Sequence, residues 1–83
     1  MKIIIMEVEL NMTKVRALNK QIGGSHYKNF KIQPIEFIYM NKIGFIEGSI
    51  IKYICRWRNK NKLEDLEKVK HYVDLLIELE EKK

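Results

Sequence analysis

The sequence predicts a mainly α protein: a short helix plus an antiparallel helical hairpin, with a glycine loop ahead of them and an N-terminal arm. Three observations carry this reading. Apolar residues recur at spacings of three and four through the second half of the chain, from Ile46 to Ile77. Pro34 stands where a helix would begin, because the first helical position tolerates a missing N–H and the ring presets φ. Asn41 and Gly44, and later the run Arg58-Asn59-Lys60-Asn61, fall where helices would stop and turn.

Residues 1–20 read as an arm that orders on assembly, and residues 21–83 as a single helical domain. Within the arm, Ile3-Ile4-Ile5-Met6-Glu7-Val8-Glu9-Leu10 fits a short strand or a helix, and periodicity does not choose between them. Met6 and Met12 are each an alternative start. The first helix is expected from Pro34 to about Met40, with Ile35, Ile38 and Tyr39 inward. The second runs from about Phe45 to Arg58, its stripe being Ile46, Ile50, Tyr53, Ile54 and Trp57. The third runs from Lys62 to about Glu80, with Leu63, Leu66, Val69, Val73, Leu76 and Ile77 inward. Asn61 followed by Glu64 has the spacing of an N-terminal cap. Glu64, Asp65 and Glu67 also suit the positive end of that helix dipole.

At 83 residues, 46% of them hydrophobic, the chain carries more apolar material than one small domain can cover. A domain of this size buries only about 60–65% of its unfolded surface. The surplus predicts burial between subunits, hence a homo-oligomer with the binding groove near the interface. Sixteen basic residues against eleven acidic leave a net charge of +5, which favours anionic partners. The single cysteine, Cys55, excludes an internal disulfide and a multi-cysteine zinc site and fits a reducing cytoplasm. Its apolar helical setting reads as a buried, inert thiol. The opening apolar run is too short for a membrane span and is broken by Glu7 and Glu9, so no membrane partner is expected.

The chemistry concentrates in Gly23-Gly24-Ser25-His26-Tyr27-Lys28. Glycines let backbone N–H groups converge on an anion, and the four residues after them offer donors, an ammonium and a stacking ring. A plain turn with solvated polar side chains is the competing reading. Lys52 and Arg56, four apart, project from one face of the second helix. Asp65, Lys68 and Tyr72 line the third, with His71 at their edge. In an antiparallel hairpin Arg56 and Asp65 become neighbours. They then form either an ordinary ion pair or part of a site in which Lys52 and Arg56 hold phosphate while Tyr27 or Trp57 stacks on a base. The ligand-binding set is therefore Gly24, Ser25, His26, Tyr27, Lys28, Lys52, Arg56, Asp65, Lys68 and Tyr72.

No GxxxxGK[ST] loop, HExxH motif or Cys/His cluster is present, so no resident metal is expected and no catalytic residue stands out. The basic run Arg56 to Lys62 has the look of a nucleic-acid contact. The helix after it opens Leu-Glu-Asp-Leu-Glu, however, and three acids there would repel phosphates, so DNA or RNA binding is a third reading only.

From Gln21 to about Glu78 the chain resembles a small phage-encoded family of domains of unknown function, sometimes called SaV-like. The matching pieces are Gln21 to Lys28, Lys31 to Ile38, Glu47 to Ile54 with Arg56, and Glu64-Asp65-Leu66-Lys68 with His71-Tyr72. That family includes an unusual coliphage nucleoside-monophosphate kinase without a phosphate loop. The resemblance implies a nucleotide-binding protein acting in the cytoplasm of an infected bacterium. One expectation is sequestration of a nucleotide, by analogy with small phage proteins of other families that capture host immune signals. The alternative is transfer of a phosphoryl group from ATP to a nucleoside monophosphate. Lys52 and Arg56 would then stabilise the transferring group, and Glu36 or Asp65 would help place magnesium.

Overall fold

The computed structural model describes residues 15–20 and 26–83. The strand-or-helix segment Ile3–Leu10 and the loop residues Gly24 and Ser25 lie outside the described residues. Three α-helices follow a 3-10 turn at Arg16–Asn19: α1 (Pro34–Met40), α2 (Phe45–Arg56) and α3 (Leu63–Glu81), with a second 3-10 turn at Trp57–Asn59. No strand occurs among the described residues.

Local chemistry explains most of these limits. Pro34 opens α1, and the Gln33 backbone N–H donates to Glu36 Oε1 at 3.1 Å, covering one of the donors a helix start leaves open. Asn41 closes the helix twice over: its backbone N–H (3.1 Å) and its Nδ2 (2.9 Å) both donate to the Phe37 carbonyl. Lys42 then takes φ 54° to reverse the chain, and Gly44 precedes α2 as its N-cap. The Gln33 side-chain amide donates to the Leu18 carbonyl and ties the 3-10 turn to α1.

Two expectations about the connection between α2 and α3 are corrected. The second helix stops at Arg56 rather than Arg58, because Trp57–Asn59 tighten into a 3-10 turn. Asn61 does not cap α3: the N-cap is Lys62, at φ 52° and ψ −125°, with no side-chain cap bond. Asn61 instead turns its Nδ2 toward Asp65 Oδ1, at 3.5 Å. The turn is held by the Lys62 backbone N–H on the Trp57 carbonyl (2.9 Å) and Lys62 Nζ on the Arg58 carbonyl (2.6 Å).

Helix α1 lies close against α2 at Gly48, where a Cβ would stand 3.1 Å from Ile38 Cγ2. Helix α2 in turn packs along α3. The assembly is thin, with principal extents of 40 × 33 × 16 Å, and a helix with its side chains is about 10–12 Å across. Among the described residues the apolar stripes are only partly covered. Among the described residues only Pro34, Gly48, Arg56 and Asp65 are buried, and no large apolar side chain is. Several residues expected to point inward are exposed: Ile35 (61%), Tyr39 (72%), Leu63 (67%) and Ile77 (51%), together with Ile54 and Val73.

Candidate functional site

The most buried side chain among the described residues is a carboxylate. Asp65, on the first turn of α3, has no exposed surface, and Arg56, at the end of α2, is 8% exposed. Arg56 Nε donates to Asp65 Oδ2 at 3.0 Å and Nη2 donates to Oδ1 at 3.2 Å, a two-pronged pairing that matches the planar fork to the carboxylate. Burial alone would raise the Asp65 carboxyl. The Arg56 guanidinium, helped by Asn61, more than reverses this and holds it below the usual carboxylate range.

The turn at residues 26–29 packs onto this pair. Tyr27 is half-buried; its hydroxyl donates to the Lys52 carbonyl at 3.4 Å and also meets the Arg56 guanidinium. Burial pushes the Tyr27 phenol up, against the pull of Arg56. The His26 ring lies on Tyr27 with centroids 4.4 Å apart. Burial lowers the His26 pKa, and the charges of Lys60, Arg56 and Lys52 lower it further. The Asp65 charge pulls the other way and partly offsets these cations.

The ring of Tyr53 gathers three cations: Arg56 at 4.6 Å, Lys68 at 5.1 Å and Lys52 at 5.6 Å from its centroid. Contacts of this kind contribute about 0.5–1 kcal/mol where exposed. Tyr72 lies parallel to Tyr53, with centroids 6.0 Å apart and planes 10° from each other. Lys68 is shared between Asp65 (3.8 Å) and Glu64 (3.9 Å).

Two concavities flank the Arg56–Asp65 pair. The larger, about 1040 Å³, lies between the first 3-10 turn, the 26–29 turn, α1 and the first half of α2. Its lining is mainly apolar, including Leu18, Pro34, Ile38 and Phe45, with Lys20, Tyr27, Gln33, Tyr39, Ser49 and Lys52 as its polar members. The smaller, about 430 Å³, is a shallow cleft between Tyr53, Glu64, Glu67, Lys68, His71 and Tyr72.

The expected site residues thus divide among three places. Tyr27 and Lys52 face the large groove, and Lys68 and Tyr72 face the small cleft. Arg56 and Asp65 lie buried, bound to each other. His26 stands beside Tyr27, and Lys28 is exposed on the same turn. Gly24 and Ser25 lie outside the described residues. Sequence reasoning placed Tyr53 in the apolar stripe and missed its cations, although Lys52, Arg56 and a tyrosine between them were a visible signal. Lys20 was missed as well, Lys60 was noted only within the basic run Arg56 to Lys62, and no pattern in the sequence links either to the turn. Cys55 is half-buried, and burial pushes its thiol up, in keeping with an unreactive side chain. Among the described residues no group of three or more His, Cys, Asp or Glu side chains is placed to hold a metal ion. None of the described helices is long and apolar enough to cross a membrane.

These features define a class: a small helical protein organised around a buried Arg–Asp pair, with an apolar groove on one side and a cation-rich tyrosine on the other. Residues 20–74 match DUF3310, a family described as proteins of unknown function, and the chain belongs to it. The match runs from Lys20 through both halves of the Arg56–Asp65 pair to Asp74, so it contains every candidate site residue. No curated protein and no solved structure matches the chain significantly.

Proposed function

We propose that this protein is a nucleotide-binding protein of phage origin, acting as a homo-oligomer in the cytoplasm of the infected bacterium and holding its ligand rather than transforming it. The carrying observation is the large groove, which combines an apolar body with a cationic, aromatic margin at Tyr27, Lys20 and Lys52. Its volume lies at the upper end of the range of about 300–1,000 Å³ found for small-molecule sites. A base and sugar suit the apolar walls, and a phosphate suits the lysines.

Arg56 has a different part in this reading from the phosphate clamp its sequence position suggests. Its fork is engaged by Asp65, so it holds Tyr27 in place from behind. The helix pairing that makes this work is an antiparallel hairpin, supported by contacts that step from Arg56–Asp65 to Tyr53–Tyr72. Resemblance to the phage family supports the ligand class and the setting.

Calorimetry with mononucleotides, cyclic dinucleotides and ADP-ribose derivatives tests the proposal. At least one should bind saturably, and Lys52→Ala should weaken it about tenfold or more, as expected when a bond to a charged group is lost. No heat from any of them at micromolar protein overturns the reading. Intact ligand recovered after heat denaturation supports holding. Diphosphate formed from ATP, magnesium and a nucleoside monophosphate would move the assignment to a kinase.

A further inference from the structure

Helix α3 carries an apolar stripe that, apart from the half-buried Leu66, stays exposed among the described residues. Leu63, Leu66, Lys70, Val73 and Ile77 follow one another at intervals of three, four, three and four. At 3.6 residues per turn they form one narrow line, about a third of a turn away from Asp65 and Tyr72, which meet α2. Leu63, Val73 and Ile77 are 67%, 39% and 51% exposed. This alternation has the spacing of a two-helix coiled-coil seam, with a lysine at its middle.

The charges beside the seam indicate what covers it. Glu67, Lys70 and Asp74 are all exposed, and among the described residues none of them makes an ion pair. In an antiparallel pairing of two copies of α3, Leu66 meets Ile77 of the second copy and Lys70 layers against its Val73. Lys70 then reaches Asp74 of the second copy, and the two-fold axis repeats the contact. A parallel pairing would instead set Lys70 against Lys70. Lys70 is thus matched by an opposite charge in the antiparallel sense and by its own kind in the parallel one.

We infer that α3 is the dimerisation helix of this protein, pairing antiparallel with α3 of a second copy along Leu63-Leu66-Lys70-Val73-Ile77, with reciprocal Lys70–Asp74 ion pairs fixing the register. The inference rests on the oligomeric part of the proposed function and is independent of the ligand. The seam lies apart from the large groove, so dimerisation and binding separate in the test.

Sedimentation of the full chain reads the mass, and circular dichroism confirms that each variant keeps its helices. Val73→Glu and Ile77→Glu should halve the wild-type mass, and Val73→Glu should retain any nucleotide heat. Lys70→Glu and Asp74→Lys should each weaken association by about tenfold or more, since two ion pairs become like-charge contacts. Mixing these two single variants should restore the wild-type mass, because in the mixed dimer both contacts between positions 70 and 74 again join opposite charges. A wild-type chain that is monomeric at its solubility limit overturns both the seam and the oligomer. An oligomer indifferent to Val73→Glu overturns the seam alone. An Asp74→Lys chain as well associated as wild type overturns the antiparallel register.

Discussion

Asp65 is fully enclosed while every large apolar side chain among the described residues keeps some contact with solvent. A buried ion pair is a poor source of stability, because desolvating two charges cancels much of their attraction, but losing one partner strands the other. Asp65→Asn should therefore lower the unfolding free energy by about 3 kcal/mol, at the lower end for a buried pair because its cover is thin. Chemical denaturation of the two proteins checks this. The pH dependence carries a sign. The folded carboxyl titrates below its unfolded value of about 3.9. Its contribution is thus complete above that value and is lost as pH falls through the folded one. The wild type should lose stability in that acid range, and Asp65→Asn should lose less of it.

At the scale of elements, the places where sequence and structure agree are those where one residue decides the geometry. Pro34 at the start of α1 and Asn41 after its end were readable because each acts through its own backbone or side chain. The Arg56–Asp65 contact was readable for a similar reason, since nine residues and one turn leave few ways to arrange two helices. The α2–α3 turn was not. Lys62 sits at φ 52° and ψ −125°, a conformation that glycine favours, and nothing in a lysine announces it. Surrounding bonds impose that geometry, among them Lys62 N–H to Trp57 and Lys62 Nζ to Arg58. Strain of this kind costs about 1–3 kcal/mol. Lys62→Gly should consequently raise the thermal midpoint, by an amount equivalent to about 1 kcal/mol once the lost Nζ bond is deducted. A midpoint unchanged or lowered in differential scanning calorimetry would show that the turn is not strained. The inward assignments of Ile35, Tyr39, Leu63 and Ile77 failed differently: periodicity reports that a face is apolar, not whether its own chain supplies the cover.

For the whole molecule, the lack of a buried apolar core among the described residues is the central physical fact. Among the described residues the helices leave Ile35, Tyr39, Phe45, Leu63 and Ile77 well exposed. Leaving large side chains wet forfeits roughly 1.5–3 kcal/mol for each one that full burial would stabilise. Domains have only about 5–15 kcal/mol in total. Folding and association should therefore be linked. The thermal midpoint should rise by about 2–5 °C for each tenfold increase in protein concentration. Calorimetric scans across two decades of concentration decide it, and a constant midpoint would mean that one chain is stable alone.

The two anchors of the 26–29 turn differ in how far apart they lie along the chain. Arg56 and Asp65 are separated by nine residues, whereas Tyr27 and Lys52 are separated by 25. Closing the shorter loop costs less entropy, so α2 and α3 can join before the turn has anywhere to land. The turn then docks onto them, with the Tyr27 hydroxyl on the Lys52 carbonyl, a guanidinium contact and ring packing among its attachments. Tyr27 is one wall of the large groove, so that wall is set only when the turn docks. It can accordingly open and close by local undocking, at a smaller free energy than melting the helices beneath it.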